Sequence, residues 1–313
     1  MTLTASMEAL EQRLAHLAPA MKYTRHAPMA QHTTLRLGGP ADLLAEPADT
    51  AALRILLREA AAMEIPVTLV GNGSNLLVRD GGIRGLVIRI GRELRGVEVV
   101  DDLLRAQAGT MLSAVAVAAA EHDLAGMAFA GGIPGTVGGG VYMNAGAYGG
   151  EMSQVVTLVE GLTMAGQPFA YTAEDLRFDY RHSRLMEEDK IVTHVCLRLR
   201  PGKREEILSE MADYNRRRAE KQPLTLPSAG STFKRPVGGY ASALVDECGL
   251  KGFSIGGAQV SEKHAGFCVN RGGTAADFLA LMAHIQRVVM EEKGIRLEPE
   301  VRILGEDAPA CAL

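Results

Sequence analysis

The chain has 313 residues, of which 47% are hydrophobic and 22% are charged, so it can build a large core and lacks the composition of a disordered protein. This length predicts two domains. The formal net charge is -4, from 33 basic and 37 acidic residues. Such a balance argues against nucleic acid and against an anionic membrane surface as partners.

No segment has the pattern of a membrane span or a signal peptide. The most apolar stretch, residues 114–120, is closed by Glu121 and is much shorter than the ~18 apolar residues of a span. Residues 1–17 carry acidic and basic side chains among their leucines. We therefore predict a cytoplasmic protein. The chain has four cysteines, Cys196, Cys248, Cys268 and Cys311. They form no C-x-x-C pair, and we expect them to be reduced thiols.

The first part of the chain combines helices with short strands. Two amphipathic helices are predicted by apolar residues at helical spacing, namely Met7, Leu10, Leu14 and Leu17, and then Leu53, Leu56, Leu57 and Ala60. Strands are predicted over residues 67–70, 76–78 and 86–90, with further short strands over residues 96–108. An alanine-rich helix is predicted over residues 110–122.

A glycine-dense stretch over residues 131–150 separates these elements from the later ones. Strands are predicted at residues 154–164 and 191–199, and a charged helix at residues 203–221, which ends before Pro223. There follow a helix at residues 240–248, strands at 258–260 and 266–270, a long helix between Thr274 and Gly294, and a strand at 295–304. The predicted division is an N-terminal helix (1–21), a domain with two lobes (22–200), a second domain (201–306) and a tail (307–313).

The first glycine loop comprises Gly71, Asn72, Gly73, Ser74 and Asn75 and follows a predicted strand. Glycine permits positive φ angles and close approach of the backbone to a phosphate, so the loop has the composition of an anion cradle. It runs into Leu76 and another predicted strand, whereas a Rossmann loop opens a helix. This argues against a nicotinamide site of the usual kind. Judged from this loop alone, an ordinary glycine turn in a hairpin is about as well supported as an anion-binding loop.

The second glycine loop, residues 131–140, is dominated by glycine, which costs conformational entropy and is tolerated where backbone lies against a ligand. A flexible hinge or lid is the alternative. Stiff or apolar residues such as Ile133, Pro134 and Val137 are interleaved with the glycines and favour a fixed, packed path. The chain has no G-x-x-x-x-G-K-[ST] motif, so the sequence does not favour a P-loop phosphotransferase.

Several motifs together resemble one known family. The segments are VGNGSNLL (70–77), GIPGTVGG (132–139), MNAGAY (143–148), YR (180–181), KQP (221–223), PSAGSTFK (227–234), GLKG (249–252) and LEPEV (297–301). They are similar, in order, to the UDP-N-acetylenolpyruvoylglucosamine reductase family. The tract between Arg181 and Ser231 is short, as in the shorter type of that family. The sequence departs from the family pattern at His32, Gly140 and residues 242–243.

The resemblance implies an α+β protein with a vanillyl-alcohol-oxidase-type (PCMH-type) FAD-binding domain and a C-terminal α+β substrate-binding domain. It implies non-covalent FAD, NADPH as co-substrate, an enolpyruvyl UDP-sugar as substrate, and a role in peptidoglycan precursor synthesis. No obligatory protein partner is evident. The residues expected to bind FAD are Gly71, Asn72, Gly73, Ser74, Asn75, Leu76, Gly132, Ile133, Pro134, Gly135, Thr136, Gly138, Gly139, Asn144, Ala145 and Gly146.

The same resemblance implies catalytic roles for Arg181, Ser231 and Glu300. Arg181 and Glu300 would act on the negative charge that hydride transfer creates, and Ser231 would give a proton to the α-carbon. Without the family, an arginine in such a charged patch is usually a solvated surface group, and a serine in a small-residue turn usually bonds local backbone. Glu298 and Glu300 share one face of the predicted strand, so spacing alone does not choose between them.

Basic residues near the domain boundary are candidates for the substrate diphosphate. Arg218, Lys221 and Lys263 are expected substrate contacts, and Arg216 and Arg217 offer further guanidinium groups. A solvated helix face is the alternative for at least one of the three arginines. His264 has no partner at metal-ligand spacing, and no H-E-x-x-H motif occurs, so no metal is expected.

Two other functions remain open. Another flavoprotein of the same fold, acting on a hydroxy acid or an alcohol, would share the glycine loops but not the pairing of Ser231 with Glu300. A non-catalytic nucleotide-sugar binding protein would keep the basic residues without needing a redox cofactor. Turnover of substrate separates the first from the reductase, and the colour of the purified protein separates the second.

Overall fold

The structure, a computed structural model, describes residues 3–309. The α-helices in this range are α1 Leu3–Leu17, α2 Thr50–Ala62, α3 Leu112–Glu121, α4 Val137–Tyr142, α5 Arg204–Lys221, α6 Ala241–Glu247 and α7 Ala275–Lys293. Residues 1–2 of the predicted N-terminal helix and residues 310–313 of the predicted tail, including Cys311, lie outside the described residues.

The strands lie between these helices, often several in succession. They are β1 Lys22–Pro28, β2 Pro40–Glu46, β3 Val67–Val70, β4 Leu76–Val78, β5 Ile83–Arg89, β6 Val97–Val100, β7 Leu103–Gln107, β8 Leu124–Ala125, β9 Gly146–Ala147, β10 Gly150–Glu151, β11 Val156–Thr163, β12 Pro168–Thr172, β13 Lys190–Arg198, β14 Arg200–Pro201, β15 Ser254–Ile255, β16 Ala258–Val260, β17 Cys268–Asn270 and β18 Arg302–Leu304.

Three sheets of three or more strands organise the described residues. The largest has the order β12-β11-β13-β7-β6, and all its neighbouring strands are antiparallel. A four-stranded sheet has the order β1-β2-β5-β3, in which β3 and β5 run parallel. The third is the antiparallel sheet β15-β16-β17. A separate parallel pair joins β18 to β4.

The helix ends follow from local capping residues. Asp49 precedes α2, and its carboxylate accepts a hydrogen bond from the backbone amide of Ala52. Thr274 and Asp277 form a complete capping box at the start of α7, and Gly294 ends that helix in the left-handed conformation. Asp80, far away in the sequence, also accepts hydrogen bonds from the first amides of α7. These contacts place the long helix where the sequence predicts it.

The chain forms two compact units, each with its own hydrophobic core. The first comprises Met1–Thr24, Leu43–Asn72 and Gly85–Arg218, and the second comprises Arg25–Asp42, Gly73–Arg84 and Ala219–Leu313. In the first core, the predicted faces of α1 and α2 are buried, apart from Leu17, which is 48% exposed. The second core packs around α7, where Phe278, Leu281 and Ile285 are fully buried. These units interleave along the chain, whereas the predicted division at residues 200–201 is linear.

The final segment differs from its prediction. Only Arg302–Leu304 forms a strand, although alternation along residues 295–304 predicts a longer one. Upstream of it, Pro299 makes an isolated bridge with Phe233, and Lys234 donates its backbone amide to Glu298. Proline lacks a ladder donor, which is why regular pairing begins only after it.

Candidate active site

The first glycine loop begins at the end of β3. Gly73 has a φ of +65°, and a Cβ atom there would lie 2.0 Å from the carbonyl oxygen of His32. The carbonyl oxygen of Gly73 accepts a hydrogen bond from the backbone amide of Thr34. Only glycine fits this position, because both the conformation and the space exclude a side chain. The loop is therefore a fixed turn and not a mobile hairpin end.

The second glycine loop enters the short helix α4, which its composition did not predict. Thr136 caps this helix, and its buried hydroxyl oxygen faces the amide of Gly139 over 3.4 Å. Gly138 and Gly140 are needed for packing, since their Cβ atoms would lie 3.0 Å from Ala108 and from Leu112. Gly139 is different, because a Cβ atom there would approach only Thr136, over 3.5 Å. Packing thus accounts for two of these glycines and leaves the face at Gly139 open to a ligand.

The two loops contact each other within the first unit. The side-chain amide of Asn72 donates a hydrogen bond to the carbonyl oxygen of Pro134 over 2.7 Å. A Cβ atom on Gly71 would lie 2.9 Å from the hydroxyl oxygen of Thr136. Residues separated by more than sixty positions in the chain are therefore held together at one place.

The backbone of both loops offers donors for an anion. In the described part of the chain, the amide N–H groups of Asn72, Gly132 and Gly135, all in the first unit, make no hydrogen bond. Such amides on glycine-rich turns bind phosphate oxygens, and small neighbours let the phosphate approach. The residues present therefore fit the pyrophosphate of FAD, as the sequence predicts for these positions.

Asn144, Ala145 and Gly146 contribute in a different way from the other predicted FAD contacts. Asn144 is 1% exposed and its side chain is used inside the protein, since it donates to the carbonyl oxygen of Asp179 and accepts from the amide of Ser153. The carbonyl oxygen of Gly146 accepts a hydrogen bond from the guanidinium of Arg181 over 3.2 Å. This segment therefore holds the turn that carries Arg181.

Arg181 lies in a tight turn of the first unit with a φ of +53°. Asp179 and His182 exchange both backbone hydrogen bonds, and the amide of Tyr180 donates to the Asp179 carboxylate. The guanidinium also lies over the ring of Tyr180, 5.0 Å from its centre. A non-glycine residue with positive φ is uncommon and is often found at functional sites. The geometry gives Arg181 a defined place that a solvated surface arginine does not have.

Ser231 and Glu300 belong to the second unit and lie in neighbouring segments. Ser231 follows Gly230, which has a φ of +76°. The next residue, Thr232, accepts a hydrogen bond on its carbonyl oxygen from the backbone amide of Glu300, over 2.9 Å. Asn75, in the first glycine loop, donates its side-chain amide to the carbonyl oxygen of Glu300 over 3.0 Å. Two of the three predicted catalytic residues are thus brought together by the second unit, and Arg181 belongs to the first.

The structure separates the two glutamates that spacing leaves equivalent. Glu298 points to the surface with 68% of its side chain exposed, and its carboxylate lies 3.4 Å from the ammonium of Lys234. Glu300 is half-buried and lies beside Thr232. Its backbone amide bonds the carbonyl oxygen of Thr232, so Glu300 lies in the segment beside Ser231, whereas the side chain of Glu298 forms an exposed ion pair. The geometry therefore supports Glu300.

The basic residues of α5 also separate into different environments. Arg216 and Arg217 pair with Asp213 on the exposed side, and Arg217 lies over the ring of Tyr148. Arg218 faces the second glycine loop, because a Cβ atom on Gly132 would lie 3.4 Å from its guanidinium. Burial lowers the pKa of Arg218 below its ordinary value. Arg218 is accordingly the arginine of this run that a buried anion can reach.

The two predicted lysine contacts lie in the second unit. Lys263 donates to the carbonyl oxygen of Ala219 over 2.5 Å, near the end of α5. Lys221 lies near His264, since burial first, and then the charges of Lys251 and Lys221, lower the pKa of that imidazole. These positive groups gather where α5 ends, which fits a diphosphate contact and also the stabilisation of the last carbonyls of the helix.

Two features were not predicted from the sequence. Thr232 forms hydrogen bonds with the segments of Gly266, Cys268 and Glu300. Tyr148 and Tyr214 stack with ring centres 4.4 Å apart, and the hydroxyl of Tyr148 donates to the carbonyl oxygen of Tyr214. Thr232 and Tyr148 both lie in motifs that the sequence singled out, but the sequence does not show the contacts that they make.

Residues 3–309 show neither a metal cluster nor a membrane-spanning helix. No group of three or more His, Cys, Asp or Glu side chains is arranged to hold a metal ion. Cys196, Cys248 and Cys268 are free thiols, and burial raises the pKa of Cys268 to about 12. No described helix is long and apolar enough to cross a membrane.

The two glycine loops, in a protein of two compact units, fit the class of flavin-dependent oxidoreductases. Comparison with known proteins agrees. A model of an FAD binding domain matches residues 41–168. The model described as UDP-N-acetylenolpyruvoylglucosamine reductase, C-terminal domain, matches residues 222–304.

Curated relatives identify the family within that class. UDP-N-acetylenolpyruvoylglucosamine reductase of Agathobacter rectalis is 48% identical over 92% of this chain and 96% of its own length. The protein of the same name from Levilactobacillus brevis is 48% identical over 94% and 97%. The crystal structure of UDP-N-acetylenolpyruvylglucosamine reductase (MurB) from Thermus caldophilus has a TM-score of 0.78 at 37% identity, covering 91% of this chain and 99% of that one. The chain belongs to the UDP-N-acetylenolpyruvoylglucosamine reductase family.

Membership of this family confirms three predictions made from the sequence. The resemblance itself is confirmed, as is the α+β class with an FAD-binding domain and a C-terminal domain. FAD as the cofactor is confirmed by the matching domain. The roles of individual residues and the linear domain boundaries stay predictions.

Proposed function

We propose that this chain reduces UDP-N-acetylglucosamine enolpyruvate to UDP-N-acetylmuramate with NADPH as the reductant. The reaction adds one hydride and one proton across the carbon–carbon double bond of the enolpyruvyl ether, and NADPH becomes NADP⁺. FAD, when bound, supplies the hydride that it has received from NADPH. The rest of the chemistry belongs to residues of this chain.

The glycine loops act first, by binding the cofactor. The amides of Asn72, Gly132 and Gly135, all in the first unit, are the donors we assign to the pyrophosphate. The hydrogen bond from Asn72 to Pro134 keeps the two loops at a fixed spacing. Because the loops are already ordered, binding of the anion costs little conformational free energy.

Arg181 and Glu300 stabilise the charge that forms on the substrate. Addition of hydride to the β-carbon leaves negative charge at the α-carbon, beside the carboxylate of the substrate. A guanidinium held by Gly146 and by the Tyr180 ring provides a positive charge that needs no reorganisation. Glu300 is the carboxyl group that we expect to act together with Arg181 on this charge.

Ser231 completes the reaction by giving its hydroxyl proton to the α-carbon. A serine hydroxyl is a weak acid, but the enolate is basic enough to take its proton when the geometry is held. The observation that carries this proposal is that Ser231 and Glu300 lie in segments joined by a backbone hydrogen bond of 2.9 Å, from the amide of Glu300 to the carbonyl of Thr232.

The basic residues would bind the nucleotide diphosphate. We assign this role to Arg218, Lys221 and Lys263, with Arg216 and Arg217 left to the exposed pairs with Asp213. We also place the reaction in the cytoplasm. We expect no obligatory protein partner, because one chain supplies every residue to which we assign a role. The product would feed peptidoglycan synthesis, and through it cell shape and division.

The test is NADPH consumption by the purified, FAD-loaded protein with and without the enolpyruvyl nucleotide sugar. We expect rapid NADPH oxidation only with the sugar, and a product heavier by two hydrogens in mass spectrometry. Oxidation of a hydroxy acid or an alcohol instead would favour a different flavoprotein activity. A protein that stays colourless after incubation with FAD would favour a non-catalytic nucleotide-sugar binding protein.

A further inference from the structure

Thr232 lies directly after Ser231 and is almost completely buried, with 1% of its surface exposed. Its backbone amide donates to the carbonyl oxygen of Gly266 over 2.9 Å. Its carbonyl oxygen accepts from the amide of Glu300 over 2.9 Å. Its hydroxyl oxygen accepts from the backbone amide of Cys268 over 3.0 Å. Every polar group of this residue is therefore bonded to another segment of the second unit.

These bonds connect Thr232 to a rigid part of the protein. Cys268 begins β17, which pairs with β16, and its own surface is 1% exposed. The Thr232 hydroxyl thus ties its segment to a sheet, while the carbonyl of Thr232 holds the segment that carries Glu300. One residue fixes the positions of both neighbouring segments with respect to the same sheet.

The segment before Ser231 is held as well. Ala229 is 2% exposed, and the carbonyl oxygen of Ser228 accepts a hydrogen bond from the hydroxyl of Thr34 over 2.7 Å. Ser228 also forms an isolated bridge with Val269 of β17. On the C-terminal side the restraint comes from the hydrogen bonds of Thr232, and the one made by its side chain is the one that a substitution can remove.

We propose that Thr232 is a positioning residue, whose side chain, anchored to the amide of Cys268, holds Ser231 and Glu300 in register for proton transfer to the substrate. This inference rests on the proposed function, in which those two residues act on the enolpyruvyl ether. Thr232 itself acts through its neighbours, because its hydroxyl is buried and already bonded.

The test uses full-length holoenzyme with Thr232→Val, which keeps the shape and removes the acceptor. Anaerobic stopped-flow absorbance measures reduction of the flavin by NADPH and, separately, its reoxidation by the enolpyruvyl nucleotide sugar. We expect reoxidation to slow by about 10- to 100-fold, since a misplacement of about 1 Å can cost about 100-fold. Flavin reduction should change by less than about twofold, and Thr232→Ser should restore most of the reoxidation rate.

A matched control is Thr193→Val, which removes a hydroxyl of a residue that is 4% exposed and bonds the carbonyl oxygen of Glu160 in the first unit. It should lower thermal stability to a similar degree and leave both rates unchanged. If Thr232→Val does not fold, Thr232→Cys replaces it, because sulfur is a weak acceptor of similar size. A smaller loss, confined to reoxidation, is then expected.

The outcomes distinguish the two proposals. Equal slowing of both half-reactions by Thr232→Val, or an unchanged reoxidation rate, would overturn the positioning role while wild-type turnover still supports the function. If the wild-type flavin is not reoxidised by the enolpyruvyl nucleotide sugar, the proposed function itself fails. The positioning role of Thr232, which rests on that function, then fails with it.

Discussion

Asn72 and Pro134 are joined by a hydrogen bond of 2.7 Å from the asparagine side chain to the proline carbonyl oxygen. This bond connects two glycine loops that come from separate stretches of the chain. If a pyrophosphate receives hydrogen bonds from both loops, its binding depends on the distance between them. The bond from Asn72 to Pro134 helps to fix that distance.

Asn72→Ala should weaken FAD binding without unfolding the protein. Loss of one such bond is worth about 0.5–1.5 kcal/mol, which corresponds to about 2- to 12-fold in affinity. Quenching of flavin fluorescence during titration of the apoprotein measures this. Gln154→Ala removes a comparable exposed bond, to the carbonyl of Gly149, and should leave the affinity at the wild-type value. The same affinity for all three proteins would contradict a role for the Asn72 contact.

Glycine substitutions in α4 should separate packing from ligand binding. Gly139→Ala adds a methyl group that the protein accommodates, and it should raise the unfolding free energy of the apoprotein by up to about 1 kcal/mol through helix propensity. It should nevertheless weaken FAD binding, because the methyl group enters the open face. Gly138→Ala should instead destabilise the apoprotein by its contact with Ala108. Urea unfolding and FAD titration of each variant provide the check, and unimpaired FAD binding by Gly139→Ala would count against the cradle.

Ser231→Ala should leave reduction of the flavin by NADPH nearly intact and slow its reoxidation by the enolpyruvyl sugar about 100- to 10,000-fold, the range typical of a lost general acid. The reason is that only the second half-reaction requires a proton donor. Ser254→Ala, at the exposed start of β15 in the same unit, is the control. Equal losses in both half-reactions would refute the assignment of Ser231 as proton donor.

Glu300→Gln and Glu298→Gln should behave differently although the residues are two apart. Glu298 forms an exposed ion pair with Lys234, and such pairs contribute about 0–1 kcal/mol to stability. Its replacement should leave kcat within about twofold. Glu300→Gln should lower kcat by at least about 10-fold, since its segment is bonded to Thr232, the residue after Ser231. Steady-state kinetics of both variants test this, and the reverse ranking would return the choice to Glu298.

Glu188 should contribute to stability in a pH-dependent way. Hydrogen bonds, first from Lys190 and then from Tyr171, lower the pKa of its carboxyl from 4.5 to about 2. Because the folded state keeps the carboxylate ionised at lower pH than the unfolded chain, its contribution is full above pH 4.5 and is lost as the pH falls towards 2.

The check is urea unfolding of the wild type and Glu188→Gln over a series of pH values. The difference in unfolding free energy should be largest near neutral pH and shrink below pH 4.5. Glu187→Gln removes an exposed carboxylate that pairs with Arg177 and serves as the control, with a smaller difference. A difference for Glu188→Gln that is constant with pH would show that its charge is not what stabilises the fold.

The sequence predicted most helices well, because capping residues and apolar spacing lie within each helix or directly beside it. Asp49 and the Thr274–Asp277 box mark helix starts, and apolar spacing identifies the buried face of α2. The final strand was overestimated, because alternation does not reveal that the backbone at residues 298–300 bonds the Thr232–Lys234 segment instead of a ladder. The helix α4 was missed because its glycines have poor helix propensity, which tertiary packing against Leu112 overrides.

The residues of the candidate site could be predicted only where they lie in a motif of the family that the sequence resembles. Arg181, Ser231 and Glu300 came from the resemblance, and no physical rule of spacing selects them. The bonds of Thr232 to Gly266, Cys268 and Glu300 join residues far apart in the sequence, and a single sequence contains no signal for such contacts. Each compact unit is assembled from three separate chain segments, and no local signal in the sequence marks such a division.

The central claim is that this one chain passes the hydride of NADPH, through bound FAD, to the enolpyruvyl ether. A single-turnover absorbance measurement under anaerobic conditions tests it most directly. NADPH should bleach the flavin, and the enolpyruvyl nucleotide sugar should then restore the oxidised spectrum with one equivalent of lactyl ether formed. A flavin that stays reduced in the presence of that sugar would contradict the claim.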